Sequence, residues 1–170
     1  MTVFQSEFVA QSIFRIDENP PRIRKCLDLL SETEVWQRPS NSSNSIGNLI
    51  LHLCGNVRQY AISSLGNLPD KRQRDKEFES KGGYSKAELI FLFEDTINEA
   101  KAVIREVNNT EWVKERNVQG FNFTGIAILI HVVEHLSYHT GQIAFYTKLL
   151  RDQQLGFYDD MDLNIKNDND

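Results

Sequence analysis

Histidines occupy only the two most apolar segments of the sequence. His52 falls in the segment 46–60, and His131, His135 and His139 recur every four residues in a later segment. Four residues turn a helix by about 400° and advance it by about 6 Å, so neighbours in this row lie on one helix face. Either adjacent pair can therefore bind one divalent metal ion together with His52, through nitrogens about 2.0–2.1 Å from the metal. Three histidines leave a coordination position for water or substrate, as in catalytic zinc sites.

The sequence leaves two questions about these histidines open. The spacing does not distinguish the pair His131 and His135 from the pair His135 and His139, and a histidine on an apolar helix is often an ordinary core residue. A zinc-protease motif is excluded by the order of residues. Glu134 directly precedes His135, whereas that motif places its glutamate directly after the first histidine.

Three polar residues are candidates for roles beside the histidines. Gln142 follows His139 by three residues and lies close to the histidine face, where it can line a pocket or orient a water molecule. Asn48 and Asn56 lie one turn before and after His52. Either can hydrogen-bond to the far ring nitrogen of His52, a contact that metal-bound histidines usually make. The alternative is that both asparagines cap turns or face solvent.

Periodic apolar residues predict four long helices, at residues 2–30, 46–65, 85–104 and 123–151. The first is expected to break before Pro20 and Pro21, which disrupt a helix interior. The polar string 41–44 offers caps for the second. The third has a capping-box pattern, because Glu88 follows Ser85 by three residues.

These elements predict an all-α fold, a four-helix bundle. Residues 118–123 are the single candidate strand. Residues 125–133, in the fourth predicted helix, include no charged side chain and are expected to be buried on all sides. We expect one domain over residues 1–158 and an acidic, disordered tail over residues 159–170.

Charge and cysteine usage limit the classes of partner. The formal net charge is −5, and the last twelve residues carry −4 of it, so the preceding 158 residues sum to −1. Such a domain presents no basic field for nucleic acid or for anionic lipid. Cys26 and Cys54 form no spaced framework, which favours a reduced protein. The N-terminus has no signal-peptide pattern, and we expect a soluble, cytoplasmic protein with neither nucleic acid nor membrane as partner.

A charged linker follows the second predicted helix. Residues 71–79 mix both signs of charge and include one apolar residue, Phe78. We predict a solvated loop with local ion pairs. The alternative is a cover over the histidine site, with Phe78 turned inward.

Two segments resemble the DinB-like (YfiT-like) metalloenzyme superfamily. The run from His135 to Ile143, His-Leu-Ser-Tyr-His-Thr-Gly-Gln-Ile, resembles the last-helix motif of that family, and residues 44–56 resemble its second-helix histidine segment. The resemblance covers roughly residues 5–152 and is closest to a bacterial branch. It implies a four-helix bundle, a homodimer, and a divalent zinc or nickel ion held by His52, His135 and His139. His131 then becomes a residue of the core or of the pocket rim.

The resemblance also suggests an activity. Several members of the superfamily are S-transferases that use bacillithiol, mycothiol or glutathione. Our first hypothesis is therefore a metal-dependent thiol S-transferase that binds a low-molecular-weight thiol and a small-molecule substrate, with Gln142 or Tyr138 positioning the electrophile. The second is a metal-dependent hydrolase, which needs a general base, and Glu134 lies about 100° away from His135 around the helix. The third is a non-catalytic dimeric helical scaffold or sensor.

Overall fold

A computed structural model describes residues 2–167; the last three residues of the predicted acidic tail, 168–170, lie outside the described residues. Within the described range the chain forms seven α-helices and one β-hairpin. The elements are α1 (Val3–Asp17), α2 (Asn19–Leu29), α3 (Glu32–Trp36), α4 (Ile46–Val57), α5 (Arg74–Glu79), α6 (Lys86–Glu106), β1 (Glu115–Val118), β2 (Phe121–Thr124) and α7 (Gly125–Arg151). A π-helical stretch, Arg58–Leu65, continues α4 without a break.

Local sequence signals set the starts of these helices. Pro20 and Pro21 occupy the first turn of α2, directly after α1 ends, so the predicted break is confirmed. The capping box of Ser85 and Glu88 at the start of α6 is also confirmed. The cap of α4 lies one residue beyond the predicted string 41–44. Ser45 accepts a hydrogen bond from the backbone N–H of Asn48, and the side chain of Asn48 accepts one from the backbone N–H of Ser45.

The core lies between four long helical units, namely α1 with α2, α4 with its π-helical continuation, α6, and α7. The second of these units packs against both α6 and α7, and α2 packs against α7 and α6. Side chains at helical spacing fill the interior, among them Ile16, Ile23, Ile50, Leu53, Phe93, Ile97, Ile128 and Leu129. The predicted all-α four-helix bundle is confirmed. No helix within residues 2–167 has the length and apolarity that crossing a bilayer requires.

The predicted strand, residues 118–123, is the turn region of a β-hairpin and not one continuous strand. Strands β1 and β2 pair in antiparallel register and are joined by Gln119 and Gly120, whose φ angles are 54° and 84°. Two positive φ angles match the twist of a tight hairpin turn, and they divide residues 118–123 between two strands. Thr124 then caps α7 by accepting a hydrogen bond from the backbone N–H of Ala127.

Burial of α7 differs from the prediction for residues 125–133. Ile128 and Leu129 are fully buried, but Ile130 is exposed. An apolar composition on all sides therefore did not mean burial on all sides here, because only one side of α7 packs against the other helices.

Candidate metal centre

Three histidines from two helices converge on one point. His52 comes from α4, and His135 and His139 come from successive turns of α7. One ring nitrogen from each lies within 4.8 Å of the other two, and Nε2 of His52 lies 3.0 Å from Nε2 of His135. Two nitrogens that bind one zinc ion tetrahedrally lie about 3.3 Å apart. The donor set and its separations therefore fit a divalent metal.

The fourth histidine lies beside this cluster. His131 stacks on the ring of His135 with 5.2 Å between centroids, and on the ring of Tyr60 with 4.1 Å. Its Nε2 accepts a hydrogen bond from the side-chain N–H of Asn56 at 3.1 Å. Of the two pairs that spacing left open, the structure places His135 and His139 next to His52.

Two of the remaining predicted residues contact His139. The Nδ1–H of His139 donates to Oε1 of Gln142 at 2.7 Å, which leaves Nε2 as the nitrogen available to a metal. Gln142 therefore orients the histidine ring itself. The ring of Tyr138 meets the ring of His139 edge-on, with 4.9 Å between centroids, and Tyr138 is 62% exposed.

The prediction that Asn48 or Asn56 bonds to the far nitrogen of His52 is wrong. Asn48 lies in the first turn of α4, so its side-chain oxygen completes the capping box there. Its side-chain N–H groups donate to the backbone carbonyls of Glu77 and Ser80. Asn56 faces His131 instead.

The far nitrogen of His52 meets a residue that the sequence reasoning missed. Glu77 on α5 places Oε2 3.0 Å from Nδ1 of His52. The ring of Phe78 packs against the ring of His52, with 4.7 Å between centroids. The linker therefore covers the site, with Phe78 turned inward, as the alternative prediction had it. The predicted local ion pair is also present, between Arg72 and Glu77, but it is buried against His52 and not solvated. The available signal was Phe78, the one apolar residue among eleven in the stretch 71–81.

Arg72 holds the Glu77 carboxylate in a bidentate ion pair. Nε of Arg72 donates to Oε1 and Nη2 donates to Oε2, both at 2.8 Å, and Nη1 donates to the side chain of Gln59 at 2.9 Å. Burial alone would raise the pKa of the Glu77 carboxyl. Hydrogen bonds from Arg72 and His52, together with the positive charge of Arg72, hold that pKa below its usual value. The carboxylate is thus ionised at neutral pH.

A glycine on α4 makes room for this ion pair. A Cβ atom at Gly55 would overlap Oε1 of Glu77 and lie 2.7 Å from its carboxyl carbon. Gly55 is one turn beyond His52, at the place where the Glu77 side chain crosses α4. Alanine is favoured over glycine inside a helix by about 1 kcal/mol, so helix stability alone does not explain a glycine here.

The two α7 histidines of the centre, His135 and His139, are uncharged at neutral pH. Burial lowers the pKa of His135, and the neighbouring rings of His139, His52 and His131 lower it further, to about 3. Burial also lowers the pKa of His139. A neutral imidazole offers the lone pair that metal binding requires.

We expect the metal-free protein to lose stability as the pH falls from 6.5 toward about 3. In this window the unfolded chain takes up a proton on His135 and the folded chain does not, so the free energy of unfolding rises with pH. A fully shielded ring would account for about 2 kcal/mol between pH 6.5 and pH 5. Because this ring is partly exposed, we expect about 1 kcal/mol.

Urea unfolding of chelator-treated protein at about pH 7 and pH 5 measures this difference. The variant His135→Gln should show a difference smaller by about 1 kcal/mol. Equal differences in the two proteins would show that the His135 ring is accessible to protons in the folded state.

The whole length of the bundle has counterparts among known proteins. A family model described as "Protein of unknown function (DUF1572)" matches residues 3–158. Among curated proteins, none matches this chain. A solved structure of a conserved protein from Enterococcus faecalis aligns with a TM-score of 0.72 and 16% identity, over 90% of this chain and 99% of that one. The DinB-like protein YjoA from Bacillus subtilis aligns with a TM-score of 0.66 and 18% identity, over 87% and 96%.

A mycothiol-dependent maleylpyruvate isomerase has the same fold with a larger chain. It aligns with a TM-score of 0.56 and 15% identity, over 86% of this chain and 62% of the isomerase. Identities this low establish the shared fold alone. The fold is that of the DinB-like proteins, as the resemblance implied. Because the family model covers nearly the entire sequence, this chain belongs to the DUF1572 family.

Proposed function

We propose that this protein binds a divalent metal ion, zinc or nickel, through Nε2 of His52, His135 and His139, and that it is a metal-dependent thiol S-transferase. The observation that carries the proposal is the convergence of three ring nitrogens from α4 and α7 within 4.8 Å. Imidazole suits both zinc and nickel. The depressed pKa values of His135 and His139 keep both lone pairs available at neutral pH.

The chemistry of the cysteines supports an external thiol as the nucleophile. Cys26 and Cys54 are both buried. Burial raises the pKa of the Cys54 thiol to about 12 and also raises that of Cys26. Neither side chain is therefore a thiolate at neutral pH. The name of one protein with this fold, the mycothiol-dependent isomerase, points to a low-molecular-weight thiol as the class to test.

A metal at this site would stabilise the bound thiol as its thiolate by lowering the thiol pKa. The thiol proton would pass to solvent. The sulphur would then form a bond to the electrophilic carbon of the substrate, and the leaving group would depart with the electron pair of the broken bond. Within the chain, Gln142 holds the ring of His139, and Tyr138 is exposed beside it, where it can contact the electrophile.

The environment of Glu77 makes a hydrolase less suitable than a transferase. Glu77 is the carboxylate that the structure places next to the three-histidine cluster. Both of its oxygens are engaged, Oε1 by Arg72 and Oε2 by Arg72 and His52. Its pKa is low, so it is a poor general base at neutral pH.

We expect about one zinc or nickel ion per chain, and loss of that ion in His52→Ala and His135→Ala. Each substitution removes one of three ligands and leaves too few nitrogens to hold the metal. Elemental analysis by mass spectrometry of untagged protein measures the stoichiometry. His131→Ala is the matched control and should keep the metal, because His131 bonds to Asn56 outside the cluster. Absence of metal after reconstitution with both ions would refute the proposal and leave a helical scaffold.

We expect thiol binding to depend on the metal. Glutathione, bacillithiol and mycothiol are titrated calorimetrically into metal-loaded protein, metal-free protein and His135→Ala. At least one thiol should bind the loaded protein with proton release, and none should bind the other two. Tight binding to metal-free protein would contradict the transferase mechanism. Metal binding without thiol binding would favour the hydrolase or the scaffold.

An exposed apolar face of α7 supports assembly into a homodimer. Tyr138, Phe145 and Leu149 have 62%, 66% and 64% of their surface exposed, and their spacing of seven and four residues places them on one helix face. Gly141 lies between them, and a Cβ atom there would meet nothing within 4 Å. A second copy of α7 can approach closely at this point. Exposed apolar side chains grouped on one helix face are typical of an interaction site.

Substitution on this face should therefore separate the subunits. We expect Phe145→Lys to convert a dimer into a monomer, because a buried unpaired charge is costly at an interface. Light scattering coupled to size-exclusion chromatography measures the mass. The matched control is Phe91→Lys on α6, where the side chain is 73% exposed on a different surface. A wild-type monomer, or equal dimerisation of both variants, would contradict this assignment.

A further inference from the structure

We infer that Glu77, held by Arg72, is a positioning residue of the metal centre that sets the tautomer of His52. The inference rests on the proposed metal-binding function. It assigns a role to the segment 72–78, which contacts His52 from the side opposite to His135 and His139. Glu77 does not touch the metal in this scheme; it acts through the His52 ring.

The two nitrogens of His52 have different surroundings. Nε2 lies 3.0 Å from Nε2 of His135, inside the three-histidine cluster. Nδ1 lies 3.0 Å from Oε2 of Glu77, outside it. A neutral imidazole carries one N–H, so a lone pair on Nε2 requires the proton to be on Nδ1. That proton needs an acceptor, and the Glu77 carboxylate supplies one.

Arg72 favours the opposite tautomer. Its Nη2 also lies 3.0 Å from Nδ1 of His52, and a guanidinium can only donate. An N–H of Arg72 pointing at Nδ1 would require the His52 proton to be on Nε2, where it blocks metal binding. The negative charge of Glu77 therefore decides between the two tautomers, and it also draws the Arg72 donors to itself through two bonds of 2.8 Å.

Several contacts hold the carboxylate in place. Asn48 binds the backbone carbonyls of Glu77 and Ser80, and a side-chain N–H of Arg38 donates to the carbonyl of Phe78. Gly55 leaves the space that the carboxylate occupies over α4. The side chain of Glu77 is 10% exposed and that of Arg72 is 4% exposed, so the ion pair has little contact with solvent. Removing the two charges of such an ion pair from water costs free energy. Because the pair lies beside His52, a candidate metal ligand, we infer that it acts on that histidine.

The first test compares Glu77→Gln with Glu79→Gln. Glu79 lies on the same short helix, two residues away, and is exposed. Zinc affinity is measured by competition with a chromophoric chelator. We expect about 10- to 100-fold weaker binding for Glu77→Gln, as for other residues that orient a metal ligand, and no change for Glu79→Gln. Nitrogen-15 NMR of the metal-free proteins reports the His52 tautomer directly. It should show Nδ1–H in the wild type and a shift toward Nε2–H in Glu77→Gln.

A second set of variants tests separately the position of the Glu77 carboxylate and its charge. Gly55→Ala keeps both Glu77 and Arg72 but places a methyl group where Oε1 lies, so it should weaken zinc binding as Glu77→Gln does. Glu77→Ala leaves Arg72 facing Nδ1 without its counter-charge. Adding Arg72→Met to Glu77→Ala removes the rival donor and should recover part of the lost affinity. Thermal unfolding of each variant shows that it is folded before binding is measured.

The outcomes separate this inference from the proposed function. Wild-type affinity in both Glu77→Gln and Gly55→Ala, with an unchanged His52 tautomer, would overturn the inference and leave the metal site intact. A wild-type protein without metal affinity would overturn the proposed function. In that case the NMR comparison still tests the inference, because it is made on metal-free protein.

Discussion

Packing of α4 against α7 brings the ring of His52 to the rings of His135 and His139, and the chemistry of the site depends on that helix pair. More than eighty residues of the chain separate His52 from His135 and His139, yet Nε2 of His52 lies 3.0 Å from Nε2 of His135. Burial between the helices keeps the imidazoles of His135 and His139 neutral. The contact that completes the bundle therefore also prepares a set of nitrogen donors with free lone pairs.

A second constraint comes from the segment that crosses α4. A buried ion pair is weak evidence for stability, because desolvation of the two charges offsets their attraction. Arg72 and Glu77 nevertheless lie against His52 with their polar atoms hydrogen-bonded. The absence of a side chain at Gly55 and the cap residue Asn48 both accommodate this segment. Gly55 and Asn48 of α4 thus both contribute to the orientation of the His52 ring.

The surroundings of the cysteines and of Glu77 are consistent with a site whose nucleophile is a bound external molecule. Each cysteine is buried away from ionisation, and the carboxylate next to the cluster is committed to Arg72 and His52. What the chain presents is the neutral imidazoles of His135 and His139 and an exposed tyrosine beside His139. Three histidines would leave one coordination position of a bound metal free. One fold can support different chemistries. Identification of the substrate therefore depends on the ligand-binding experiments and not on the four-helix-bundle fold.

Features carried by short stretches of chain were determined by the sequence itself. The break at Pro20, the capping box of Ser85 and Glu88 and the periodicity of the helices depend on residues one to four positions apart, where geometry follows from the helix alone. The row of histidines on one face of α7 belongs to the same class. The family resemblance favoured His135 and His139, and the structure places that pair beside His52.

Features that join distant segments were decided by the tertiary structure alone. Glu77 lies 25 residues from His52, in a stretch whose composition is typical of a solvated loop. The pattern of charges in a sequence does not reveal whether a carboxylate has a buried partner. Asn48 looked like a partner of His52 by spacing, but the start of α4 at Ser45 committed its side chain to the cap. Helix periodicity specifies which residues share a face; the packing of helices and the path of the linker specify what that face meets.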